Sequence, residues 1–183
     1  MNLSGQETLP VSQTQAWEAL NDAELLKASI SGCDSLTLIG EHEYEALLTV
    51  SVGPVKARFK GKLKLSDLQP PSSYGLTFEG HGGAAGHGKG SAQVRLEAQG
   101  AAQTLLHYEV QASVGGKLAQ IGSRLVDMAA QKMAGDFFAN LNTALQERYA
   151  AAPIKALVAK KSRWHALLDW YLGWLGRIFT GKI

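Results

Sequence analysis

The chain of 183 residues contains one cysteine, Cys33. It therefore closes no internal disulfide and builds no cysteine-rich zinc site or iron–sulfur cluster. The twenty glycines follow no collagen-like period. The opening segment, MNLSGQETLP, lacks the basic and apolar regions of a secretory signal, which points to a reducing, cytoplasmic setting. No paired-carboxylate, Ser-His-Asp or nucleophile-elbow pattern stands out, so no catalytic residues are assigned. Among His42, His81, His87, His107 and His165, no pair is spaced four apart around an acid. His81 and His87 could meet across a loop but lack an evident third partner, and no metal site is expected. Cys33 has no neighbouring histidine to activate it and reads as a packing residue.

What is present is enough apolar material, 45% of the residues against 19% charged, for a packed core. The net charge of +2 conceals a split. Residues 1–152 carry 12 Lys and Arg against 15 Asp and Glu, whereas residues 153–183 carry 6 against the single acid Asp169. Three of the four tryptophans lie in that last stretch. An acidic body with a basic, aromatic tail points to an anionic surface, membrane or partner.

Leu3 to Leu9 reads as a strand ended by Pro10. Ser12 is placed as the N-cap of a helix over Gln13 to Leu20, with a short apolar turn around Leu25 to Ala28 after Asp22. The hydrophobic period then becomes two. Tyr44, Ala46, Leu48, Val50 and Val52 share a face, and so do Val55, Ala57, Phe59, Leu63 and Leu65 beyond a turn at Gly53-Pro54. That turn predicts Glu45 opposite Lys62 and Glu43 opposite Lys64, with Lys56 and Arg58 unpaired near the tip. Further strands are expected over Tyr74 to Glu79, Ser91 to Ala98 and Thr104 to Val114. From Lys117 to about Arg148 the pattern is helical, with Leu118, Ile121, Leu125, Met128 and Ala129 in one stripe continued by Met133, Phe137 and Leu141. A helix of about 30 residues spans roughly 45 Å, enough to cover a curved sheet. The basic row Lys56 to Lys64 has no aromatic on its own face to stack a base, so no nucleic-acid partner is expected.

Gly83 to Lys89 approaches a phosphate-loop pattern, but Gly90 stands where a magnesium-binding Ser or Thr belongs, and a strand follows instead of a helix. The stretch reads as a hairpin connection with several left-handed glycines, placed at a cavity mouth through Gly82, Gly83 and His87. The tail is the strongest signal. Residues 164–179 include 11 apolar residues in 16, and Leu157, Trp164, Leu168, Tyr171, Leu175 and Ile178 fall in one helical stripe. Asp169 and Arg177 keep the uncharged run too short to span a bilayer. The pattern suits a helix lying in the membrane interface. Lys155, Lys160, Lys161 and Arg163 would supply attraction to anionic lipid, and Trp164, Leu168, Trp170, Tyr171, Trp174, Leu175 and Ile178 apolar area.

Gly32-Cys33-Asp34-Ser35-Leu36, Gly53-Pro54-Val55 with Phe59, the loop from Gly82-Gly83 to Gly90, Gly115-Gly116-Lys117-Leu118-Ala119-Gln120-Ile121-Gly122 and Phe137-Phe138 form an ensemble over about residues 1–147. Together they resemble the G-subunit family of carbon monoxide dehydrogenase. Ser31 and His87 depart from that pattern, which often has Pro and an aromatic there. The resemblance implies an α+β, START-like helix-grip domain over residues 1–148, a curved antiparallel sheet wrapped on a long C-terminal helix. A linker over 149–153 and an amphipathic tail helix over 154–183 complete the expected organisation. It implies an apolar cavity, for which Tyr44, Phe59, Phe78, Tyr108, Ile121, Leu125, Met128, Met133 and Phe137 are the expected lining. It also implies a non-catalytic role: docking a molybdenum hydroxylase to the inner face of the cytoplasmic membrane, with an isoprenoid quinone as ligand and no tightly bound cofactor. An enzyme of the polyketide cyclase or hydrolase type and a plain lipid carrier remain alternatives.

Overall fold

The computed structural model describes residues 1–150. The expected tail helix, residues 151–153 of the linker and every expected membrane contact from Lys155 to Ile178 lie outside the described residues. Strand β1 (Asn2–Leu9) leads into helices α1 (Gln13–Leu20) and α2 (Ala23–Ser29). Six strands follow: β2 (Cys33–Gly40), β3 (Glu43–Val52), β4 (Val55–Gln69), β5 (Ser73–His81), β6 (His87–Ala98) and β7 (Thr104–Gly115). A short helix α3 (Lys117–Gln120) precedes the long α4 (Ser123–Ala150). The seven strands form one antiparallel sheet in the order β1-β7-β6-β5-β4-β3-β2. This is the α+β helix-grip arrangement that the resemblance implies.

Local chemistry sets the helix starts. Ser12 Oγ accepts from the Gln15 amide while the Gln15 side-chain carbonyl accepts from the Ser12 amide at 3.0 Å, a reciprocal capping box. Asp22 Oδ1 accepts from the amides of Glu24 and Leu25 and starts α2. Ser12→Ala is expected to cost about 1 kcal/mol and to lower Tm by about 3 °C in a domain of this size, which differential scanning calorimetry can resolve.

The β3–β4 register is the one predicted: Glu43 faces Lys64 and Glu45 faces Lys62. The ion pairs differ in detail. Glu45 reaches diagonally to Lys60 at 3.0 Å. Arg58, expected to be unpaired, donates from Nε and Nη2 to Asp34 Oδ2 on β2 at 3.1 and 2.8 Å. The hairpin alone offers Arg58 no partner, and the carboxylate comes from the strand paired on the hairpin's other side.

The single helix expected from Lys117 to Arg148 is two helices. Gly122, at φ 94°, breaks it in a conformation that side chains disfavour, and α4 restarts at Ser123. The residues that α4 buries are Val126, Phe138, Leu141 and Leu145; of the expected stripe Leu141 is buried, whereas Leu125, Met128 and Met133 are exposed. At its far end α4 continues through Tyr149 and Ala150, two positions expected to belong to the linker.

Candidate functional site

Strand alternation decides what faces the helices. Leu63 and Leu65 on β4, Tyr74 and Leu76 on β5, Ala92 and Val94 on β6, and Leu106, Tyr108 and Val110 on β7 turn to the inner face of the sheet. Opposite them stand Leu20, Leu26 and Ile30 from the α1–α2 segment and Met133, Ala134, Phe137 and Phe138 from α4. The space they enclose is about 360 Å³, toward the lower end of the roughly 300–1,000 Å³ of small-molecule sites. Leu3, Leu36 and Tyr44 complete its walls. Aromatic contacts brace it. Tyr108 and Phe138 rings lie 5.2 Å apart, Phe137 meets Phe138 at 5.1 Å and 71°, and Trp17 meets Tyr74 edge-on at 5.6 Å.

Among the described residues, Tyr44, Tyr74 and Tyr108 are the only wall residues with a side-chain oxygen or nitrogen, and the surface that faces the cavity is almost wholly apolar. Burial holds all three phenols above their usual range, most strongly at Tyr74. The nearby carboxylates of Asp22 and Glu7 add to the effect at Tyr44 and Tyr108 respectively. All three therefore remain protonated hydrogen-bond donors through the physiological range. A second, wider depression occupies the opposite face of the sheet, bordered by Glu43, Lys62, Lys64, Glu79 and Lys89. It is charged and open to solvent, whereas the inner cavity is the one that can desolvate an apolar ligand.

Four of the nine expected cavity residues, Tyr44, Tyr108, Met133 and Phe137, line this space. The other five do not. Phe59 is buried in a separate cluster with Val52, Ala85, Leu118 and Val126, against which Ile121 packs. Phe78 lies over Gly90, where any Cβ would meet its ring. Leu125 and Met128 are exposed, at 43% and 57%. Ile121 packs on the Phe59 cluster, and at the start of α4 it is Val126 and Ala129 that turn to that cluster, which leaves Leu125 and Met128 on the exposed side. Several wall residues were missed, among them Leu63, Tyr74, Leu76, Val94 and Phe138. For the strand residues the signal was available, since each continues an alternation already recognised.

The glycine loop also sits elsewhere than at the cavity mouth. Gly83–Ala85 form a single turn of 3-10 helix, and Ala85 is buried against the Phe59 cluster. Gly82 lies under the Phe59 ring. His87 is exposed, pairs across the strands with His81 at 6.2 Å between ring centroids, and covers Gly115. Among the described residues no group of three His, Cys, Asp or Glu side chains converges as a metal site would require. Burial also raises the Cys33 thiol above its ordinary range, and its Sγ contacts the Ser35 carbonyl oxygen at 3.4 Å. It is held as a thiol, the unreactive form.

Comparison with known proteins adds to this geometry. A family model that describes the G subunit of carbon monoxide dehydrogenase (CoxG) matches residues 5–146. No curated protein matches the chain. A conserved protein from Geobacillus kaustophilus is similar in structure with a TM-score of 0.76 and 32% identity, covering 80% of this chain and 96% of that one. The Zhui aromatase/cyclase from Streptomyces sp. R1128 shares the fold at TM-score 0.59 and 14% identity, over 84% of this chain and 99% of its own. A START superfamily protein from Mycobacterium smegmatis does so at 0.57 and 13%, over 83% and 99%.

Proposed function

Because the chain belongs to the CoxG family of carbon monoxide dehydrogenase subunits, we propose that it is a non-catalytic accessory protein that carries an apolar ligand and brings a molybdenum hydroxylase to the membrane. The observation that carries the ligand reading is the 360 Å³ cavity, walled by aliphatic and aromatic side chains and braced by α4. Its hydrocarbon and aromatic walls suit the ring and prenyl chain of an isoprenoid quinone, or an acyl chain. These walls present no acid–base pair of the kind a cyclase or hydrolase uses, which favours a carrier over an enzyme.

Attachment is assigned to the tail. No helix among the described residues is long and apolar enough to cross a membrane, and the basic, tryptophan-rich pattern of residues 155–178 suits peripheral contact. The partner reading follows the family's name, which points to a carbon monoxide dehydrogenase.

Two measurements on the full-length protein test the proposal. Denaturing extraction with organic solvent should release a quinone or acyl lipid, identified by mass spectrometry. Protein that carries none and takes up no added quinone analogue would count against the ligand reading. In vesicle sedimentation, replacing Lys155, Lys160, Lys161 and Arg163 by Gln should weaken binding to anionic vesicles only, by about 1 kcal/mol for each residue at the surface. Replacing Trp164 and Leu168 by Ser should weaken binding to neutral vesicles as well. Unchanged sedimentation in both variants would remove the tail as the anchor.

A further inference from the structure

Among the described residues, nineteen side chains line the cavity, and none of them is charged. The cations of β4, Lys62 and Lys64, point to the opposite face by strand alternation. On α4 the nearest charges, Lys132 and Asp136, pair with each other on its exposed side. The charged groups that act on the phenols are both acidic: Asp22, at the start of α2, on Tyr44, and Glu7, on β1, on Tyr108. No wall residue could therefore neutralise an anion, and these two carboxylates would repel it.

A carboxylate taken into such a space loses its hydration and gains no counter-ion, which costs several kcal/mol. An uncharged ligand pays far less to leave water, and the almost wholly apolar walls receive its hydrocarbon. Resting on the ligand-carrying role proposed above, we infer that this cavity selects uncharged ligands and rejects carboxylates, so that fatty acids and other organic acids enter only in their protonated form.

The test uses full-length protein and two fluorescent probes built on the same dimethylaminonaphthalene ring, the neutral ketone prodan and the corresponding carboxylic acid. Both are small enough for the polar group to be enclosed with the ring. Titrations monitor the blue shift in emission between pH 5.5 and 8. The ketone should bind with an affinity constant within about twofold across this range, because the three phenols titrate above it. The affinity of the acid should fall about tenfold per pH unit, hence about 100-fold between pH 5.5 and 7.5, as the neutral acid is depleted. An acid that binds with a flat profile and matches the ketone at pH 7.5 would overturn the selectivity while leaving the ligand-carrying role intact. If neither probe binds, both readings fall together.

Discussion

Ala134→Trp is expected to abolish ligand uptake while leaving the protein folded. Ala134 lies on the cavity side of α4 and is half-buried. An indole added there extends into about 360 Å³ of free space. Enlarging a side chain in a close-packed interior usually costs about 1–3 kcal/mol through strain. Here the added ring fills a void and recovers dispersion contacts that the open walls lack, so the thermal midpoint should stay within a few degrees of the unmodified protein. Prodan affinity should fall by at least about 100-fold, because the indole occupies the volume the probe needs. Met128→Trp provides the comparison. It makes a substitution of similar size on the same helix, at a residue that is exposed and outside the cavity walls, and it should leave the affinity unchanged. Equal affinity in the two variants would place the ligand somewhere other than this cavity.

The second large effect concerns one glycine of the loop that superficially resembles a phosphate site. Gly86 has φ 117° and ψ −155°, a region open essentially to glycine alone. A Cβ there would overlap the carbonyl oxygen of Gly115 and approach the Gly116 Cα at 3.2 Å. These are backbone atoms at the β7–α3 junction, which cannot rotate away as a side chain could. Gly86→Ala should therefore cost about 3 kcal/mol or more and lower Tm by about 10 °C. Gly83→Ala is the matched control in the same loop. Gly83 also has positive φ, 58°, but nothing lies within 4 Å of its added Cβ, so only the left-handed penalty of about 1 kcal/mol applies. Thermal denaturation of the pair separates backbone overlap from conformational strain. Similar midpoints for the two variants would show that the loop does not pack against that junction.

These two outcomes turn on features that the sequence carried to different degrees. Period-two alternation located the β3–β4 hairpin, and the Gly53-Pro54 turn set its register to the residue, because a slip of one would have moved Phe59 and Leu63 to the wet face. Ser12 marked its helix start through a side-chain oxygen that satisfies an amide three residues on. Such features are local, settled by residues adjacent in the chain or directly paired across a ladder. The lining was legible only in part for the same reason. Tyr44 and Tyr108 followed from strand parity, whereas along α4 one expected stripe holds both cavity wall, at Met133 and Phe137, and the exposed Leu125 and Met128, because different parts of the sheet stand opposite.

By itself, the sequence determined the α+β class, the strand order along the chain, the hairpin register and the division between an acidic body and a basic aromatic tail. Only the tertiary structure decided which apolar residues became cavity wall and which became packed core. Phe59 and Tyr44 share one face of the same hairpin. Phe59 meets Ala85, Leu118 and Val126 and is closed over, whereas Tyr44 faces space that α4 leaves open near Met133 and Phe137. Hydrophobic periodicity reports that a side chain leaves water. It does not report what stands opposite, because that is set by where a distant helix restarts, how closely two glycine backbones approach, and which strands lie between them.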